Sequence, residues 1–362
     1  MPPHFPLKRT DRPTQRQELD KILADPGFGR YFTDHMVTAE WTPDAGWHGH
    51  QVTALAPFTM HPGAAVLHYA QEILEGLKAF RRSDGSVWLF RPYLNARRFS
   101  LSARRMVLPG LDEETFVESA AALVRADEAW VPPYDGSEGS LYLRPFMFAS
   151  EAFLGVRPAA HVTYGVIACP AGPYFPNGVT GVTLWVSTQY SRAGIGGTGA
   201  AKCGGNYAAS LAPQREALDH GCEQVLYLGG ADRQDINESG TMNVFFVTRD
   251  HQLITPSLGT ILDGVTRDSV LTLAADHGLK PVERSIGLSE LRDGLADGSV
   301  TESFAAGTAA VITPIVGLKS AEFSVTISGG QPGTYTQQFR EHLLDIQYGR
   351  TEDVHGWMRQ VL

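Results

Sequence analysis

Lysine, cysteine and long apolar runs are all scarce in this sequence, and the last two scarcities each remove a class of function. The three cysteines, Cys169, Cys203 and Cys222, are odd in number and show no paired spacing. A disulfide framework is therefore not expected, no metal site is expected, and a reducing cytoplasm is the default setting. No window approaches 18 uninterrupted apolar residues, so no membrane span is expected. Met1 to Phe5 lead into no apolar h-region and do not read as a secretory leader. Runs of like charge are absent, and a net charge of −9 argues against a nucleic-acid binder, which normally carries a basic stripe. What is present is 362 residues, 43% of them hydrophobic, with 38 glycines and 22 prolines. At roughly 100–200 residues per domain, that length accommodates two cores in a compact enzyme or binding protein.

Punctuation along the chain supports the same division. Residues 1–43 are polar and interrupted by proline, and read as a segment wrapping the surface before a first strand at Val52–Met60. Helical spacing predicts helices over Tyr93–Val107 and Leu111–Trp130, and strands are expected at Val87–Phe90, Ser140–Ala149 and His161–Cys169. The strongest turn composition, Pro170 to Gly178, marks the interdomain connection. It gives a smaller N-terminal domain over 1–171, a linker over 172–181 and a larger C-terminal domain over 182–362. Beyond the linker, strands alternate with helices: Val182–Thr188, Tyr207–His220, Glu223–Leu228, Met242–Thr248, Thr266–His277, Leu288–Asp297 and a final helix Thr336–Tyr348. The fold class is thus a mixed α/β chain, α+β first and α/β second.

Only six lysines occur, so each can be weighed. Lys8, Lys21, Lys280 and Lys319 sit beside charges, prolines or turn residues and read as solvated. Lys202 lies between Gly194-Ile195-Gly196-Gly197-Thr198-Gly199 and Gly204-Gly205-Asn206-Tyr207, with no charged neighbour. Glycine admits a ligand close to the backbone, and an uncharged setting suits a nucleophilic amine. An ordinary lysine on a glycine-rich loop fits this composition equally well. Lys78, in Glu75-Gly76-Leu77-Lys78, is the competitor, with Glu75 as its possible partner. Gly194 to Gly199 also spells the G-x-G-x-x-G fingerprint of nicotinamide-dependent dehydrogenases. Against that reading, no helix opens directly on these glycines, and the acids about 20 residues on, Glu216 and Asp219, fall within the next helix.

A lysine that carries pyridoxal phosphate (PLP) needs company: an anion for the ring nitrogen, and amides with a cation for the phosphate. Glu238 precedes an apolar strand and is the candidate anion, although a solvated acid in a hairpin turn is the plainer reading. Gly264-Val265-Thr266-Arg267 opens a helix, where free N–H groups point outward. Gly307-Thr308-Ala309-Ala310 is a further small-residue turn.

Taken together, Phe32 to Met36, Glu75 to Phe80, Phe90 to Asn95, Tyr142-Leu143-Arg144-Pro145, Lys202 to Tyr207, Glu238 to Asn243, Gly307-Thr308-Ala309 and Asp345 to Gly349 resemble the branched-chain aminotransferases of PLP fold type IV. The likeness runs along nearly the whole chain. It implies a D-amino-acid-aminotransferase-like fold whose larger domain is a pseudo-barrel. It also implies a homodimer, PLP as cofactor, and transfer of the amino group of leucine, isoleucine or valine to 2-oxoglutarate.

The same resemblance implies residue roles. Lys202 would hold PLP as a Schiff base and shuttle a proton. Tyr207 would bond the cofactor's phenolate oxygen, Glu238 its ring nitrogen and Arg98 its phosphate, with amides of Val265, Thr266 and Thr308. Leu262 would pack on the ring and Thr241 would lie among the cofactor contacts. Phe28, Tyr69, Leu74 and Tyr174 would line an apolar side-chain pocket. Thr308 and Ala309 amides, with Tyr142, would take the α-carboxylate, and Arg144 the second carboxylate of glutamate or 2-oxoglutarate. Where mammalian members carry a redox Cys-x-x-Cys, this sequence has Ala310 and Thr313, so thiol regulation is not expected there. A D-amino-acid aminotransferase, an aminodeoxychorismate lyase and a non-catalytic PLP-binding protein share enough of the pattern to stay as alternatives.

Overall fold

Regular structure begins earlier than the proline-rich N-terminus suggests. A helix over Arg16–Ala24 buries Leu19 and Ile22, and strand β1 (His35–Thr42) buries Met36, Val37 and Ala39. The expectation that residues 1–43 only wrap the surface is corrected: Leu19, Ile22, Val37 and Ala39 belong to the core. The polar residues that mask the pattern are themselves used. Asp34 accepts from Thr14 N at 3.0 Å and from Trp130 Nε1 at 2.9 Å, tying the segment down.

The computed structural model describes residues 4–174, 179–230, 232 and 234–362. The expected linker, 172–181, lies partly outside them, at 175–178. By internal contacts the chain divides into two units. One takes Met1–Pro176, Ala201–Gly204 and Asp345–Leu362, and the other Asn177–Ala200 and Gly205–Leu344.

The first unit is built on an antiparallel sheet. Its further strands are β2 (Gly46–Ala54), β3 (Glu72–Leu74), β4 (Leu77–Arg81), β5 (Val87–Phe90), β6 (Ser140–Ala149) and β7 (Val162–Ala171). Strand Met358–Gln360 leads the order, followed by β5, β4, β6, β7, β1 and β2, with β3 beside β6. Ten residue pairs, from Ser140↔Ala171 to Ala149↔Val162, lock the β6–β7 register. One sheet face is covered by helices Pro92–Arg105 and Glu113–Ala126, whose Phe99 and Phe116 rings meet at 5.2 Å. The second of these helices is capped by Asp112, which accepts from Thr115 N at 2.8 Å.

In the second unit the sheet closes on itself. Its strands are β8 (Val182–Ser187), β9 (Gln224–Gly229), β10 (Asp235–Ser239), β11 (Met242–Thr248), β12 (Gln252–Thr255), β13 (Lys280–Glu283), β14 (Val300–Gly307), β15 (Val311–Lys319) and β16 (Ser324–Thr326). The order runs β10-β9-β8-β15-β14-β11, and β10 also pairs with β11, so these six strands form a ring. This is the pseudo-barrel implied by the resemblance. Leu184, Val186, Leu226, Val244 and Ile315 fill its core. The single helix expected over Tyr207–His220 is two, Gly204–Ala208 and Leu211–Asp219. Pro213 has no N–H to give the carbonyl four residues back, and its ring crowds that carbonyl, so the chain breaks at 209–210.

Candidate active site

The backbone around Lys202 is fastened within the first unit by groups far away in sequence. Lys202 N donates to Ser102 Oγ at 2.9 Å, and Leu74 N donates to Lys202 O at 2.9 Å. Two residues on, Gly204 N donates to a Glu72 carboxylate oxygen. The lysine's sequence neighbours are uncharged, yet the fold brings it under the influence of Glu75, which is fully buried. Arg98 grips Glu75 with Nε to Oε1 at 2.6 Å and NH2 to Oε2 at 2.9 Å, and Asn95 Nδ2 adds a bond at 2.7 Å. Burial works to raise this carboxyl, but Arg98, Lys202 and Asn95 outweigh it, and Glu75 is held below the usual carboxylate range. Of the arginines on that helix, Arg98 is the buried one, whereas Arg97 makes an exposed ion pair with Glu113 at 3.1 Å.

Tyr142 and Arg144 stand two apart on β6 and so share a face. Arg144 NH2 donates to Tyr142 Oη at 3.0 Å, and Phe28 meets the Tyr142 ring edge-on at 5.0 Å. Residue 76 has to be glycine for this packing, because a Cβ there would run into Tyr142 Oη. The structure thus gathers Phe28, Tyr142 and Arg144, and places Leu74 on the lysine's carbonyl. Tyr69 ends a short helix with its hydroxyl on Leu154 O, and Tyr174 follows β7, partly exposed.

The second unit carries the anion. Glu238 is a strand residue of β10, 2% exposed, rather than a solvated acid in a turn. Its Oε1 accepts from Leu262 N at 2.7 Å and Asn243 Nδ2 at 3.2 Å, while Oε2 meets Arg192 Nε at 2.6 Å. Asn243 also donates to Leu262 O at 2.9 Å, so the backbone of Leu262 is clamped at both polar atoms. Thr241 lies exposed at the tip of the β10–β11 hairpin. Val265 and Thr266 begin a nine-residue helix whose N-cap, Gly264, provides no side-chain cap. Thr308 and Ala309 form the turn between β14 and β15, and Tyr207 sits on helix Gly204–Ala208.

Sequence reasoning missed Glu72, Ser102 and Arg192, and set Glu75 beside Lys78 instead of Arg98. Ser102 lies 100 residues from the lysine it supports, and no local pattern announces that pairing. For Arg192 the sequence offers a signal: a lone cation entering a loop made mostly of small residues.

Residues 72–318 match the amino-transferase class IV profile, and the chain belongs to that family. It is 52% identical over 357 residues to a probable branched-chain-amino-acid aminotransferase of Streptomyces coelicolor, covering 98% of each chain. To the branched-chain-amino-acid aminotransferase of Mycolicibacterium smegmatis it is 49% identical over 364 residues, covering 99% of both. Among solved structures, the T.th. branched-chain amino acid aminotransferase with pyridoxamine 5'-phosphate superposes with a TM-score of 0.73 at 26% identity, over 90% of this chain and 98% of that one. The fold is therefore that of the PLP fold type IV enzymes.

Proposed function

We propose that this chain is a branched-chain amino acid aminotransferase, moving the amino group of leucine, isoleucine or valine reversibly to 2-oxoglutarate with PLP as cofactor. The observation that carries the reading is near-full-length identity of about half to relatives of that name. The donor set suits the cofactor: a half-buried lysine, a buried carboxylate already oriented by Leu262 N and Asn243, a helix start without a side-chain cap, and the arginine Arg98.

When bound, PLP supplies an aldehyde that accepts the amino group and a ring that takes up electrons from the substrate's Cα. Lys202 Nζ would hold that aldehyde and carry the proton at Cα. Glu238 would keep the ring nitrogen protonated, and Tyr207 would donate to the phenolate oxygen. Arg98, steadied by Glu75, would place positive charge at the phosphate, together with the amides of Val265, Thr266 and Thr308. Leu262 would pack on the ring, and Thr241 would complete the cofactor's surroundings.

Phe28, Tyr69, Leu74 and Tyr174 would enclose an aliphatic side chain, worth about 1.5–3 kcal/mol when buried. Tyr142 with the Thr308 and Ala309 amides would hold the α-carboxylate, and Arg144 would answer a second carboxylate. A domain organisation of 1–171 and 182–362 about a 172–181 linker, a homodimer, and the cytoplasm belong to the same reading. Among the described residues no helix is long and apolar enough to cross a membrane.

Purified protein should show the visible absorbance of a lysine-bound cofactor and transaminate L-leucine. Lys202→Ala should lose both. If the variant keeps band and activity, the lysine is misassigned, and if D-alanine is preferred to L-leucine, a D-amino-acid aminotransferase of the same fold takes the place of this reading.

A further inference from the structure

Arg192 takes no part in the reading above, yet it is the most committed side chain around Glu238. Its guanidinium is 8% exposed, and Nε meets Glu238 Oε2 at 2.6 Å. The other two nitrogens turn away to backbone: NH1 donates to Gly199 O at 3.2 Å and to Thr260 O at 3.3 Å, and NH2 donates to Gly199 O at 3.3 Å. One planar group thus joins the glycine-rich loop, the loop before Leu262 and the carboxylate. A lysine offers a single compact charge and could not span all three. The loops must approach closely for this, and Gly199 lets them, since a Cβ there would run into Thr260 O. The G-x-G-x-x-G run is accordingly a set of turns that seats an arginine, not the start of a helix.

A carboxylate 2% exposed is expensive to keep ionised, and without a counter-charge it takes up a proton instead. Leu262 N and Asn243 Nδ2, which bond Oε1, are neutral donors. The arginine is on Oε2. A further titratable neighbour, Tyr227, feels both Arg192 and Glu238, and burial pushes its phenol up to about 12, so it stays neutral. Arg192 therefore brings positive charge directly onto a buried carboxylate.

We infer that Arg192 is a positioning residue for the cofactor's ring nitrogen: by pairing with Oε2 it holds Glu238 ionised and turned so that the nitrogen keeps its proton. This rests on the reading that Glu238 faces that nitrogen. Removing the arginine takes its counter-charge away from a buried carboxylate. The proton then moves to the carboxyl, and the ring nitrogen becomes neutral.

The test is the 15N NMR signal of PLP labelled at the ring nitrogen and bound to the full-length protein. Wild type should give the protonated signal. Arg192→Met and Arg192→Gln should lose it, and Arg192→Lys, which restores charge on the carboxylate, should retain it. Should the methionine variant fail to fold, the glutamine variant carries the same comparison, with thermal melts confirming that it is native. A protonated signal kept in R192Q, or lost equally in R192Q and R192K, overturns the inference. Glu238→Gln separates the two levels: if it leaves the signal unmoved, the placement of Glu238 fails; if it shifts the signal while R192Q does not, Arg192 alone is refuted.

Discussion

Glu75 and Arg98 form a two-pronged buried pair, Nε to Oε1 at 2.6 Å and NH2 to Oε2 at 2.9 Å, with the carboxylate wholly removed from water. Such a pair adds little compared with an apolar substitute, but breaking it strands a charge in the interior. Glu75→Gln should therefore cost about 3–5 kcal/mol in urea denaturation at neutral pH. The sign with pH follows from the lowered carboxyl. Its stabilisation is complete above the unfolded value, near pH ~4.3, and disappears as pH falls through the lower folded value. Wild type and variant should converge in strongly acidic solution. A gap that stays constant down to the acid limb would count against the pairing.

Arg144 lies on the same strand face as Tyr142 and bonds its hydroxyl. If it answers the second carboxylate, Arg144→Met should raise KM for 2-oxoglutarate by about 30-fold, the equivalent of ~2 kcal/mol. KM for leucine should move far less. Steady-state kinetics with both substrates decide this, and equal losses for both would place Arg144 outside substrate recognition.

Glu72 behaves in the opposite sense to Glu75. Burial raises its carboxyl, and the Gly204 amide and Arg144 only partly offset that. The folded protein therefore takes up a proton here at a higher pH than the unfolded chain. The associated stability is fully present below the unfolded value near pH ~4.3 and is lost as pH rises through the raised folded value. Glu72→Gln cannot ionise, so its melting temperature relative to wild type should climb from pH 4 to neutrality. A flat or falling difference would contradict the assignment.

Some residues of the proposed site carry a signature in the sequence itself. Lys202, Glu238 and the helix start at Val265 stand out because each has a local signature: glycines, an acid before an apolar strand, an uncapped helix opening. Their partners have none. Glu75 and Arg98 are 23 residues apart and Ser102 and Lys202 are 100 apart, so only the folded sheet and helices bring them together. Strand β1 is hard to read because only part of its pattern is apolar, and its polar members meet polar side chains of the neighbouring strands: Thr38 Oγ1 accepts from Gln51 Nε2 at 3.3 Å and Glu40 accepts from Thr163 Oγ1 at 2.9 Å. The glycine fingerprint, already disfavoured by the sequence because no helix opens on it, has a different origin. Gly199 is needed for backbone to pass Thr260, a requirement that resembles a phosphate-binding loop in composition but not in geometry.

Lys202 lies in the C-terminal half of the sequence, yet Ala201–Gly204 belong by contact to the N-terminal unit. The groups that anchor the Lys202–Gly204 backbone, Glu72, Leu74 and Ser102, are all N-terminal. Recombination between two related genes at the interdomain connection would therefore take Lys202 from one parent and the groups that fasten its backbone from the other. In a chimera, catalytic character should follow how well those halves were matched, which binds the two segments into one evolutionary unit.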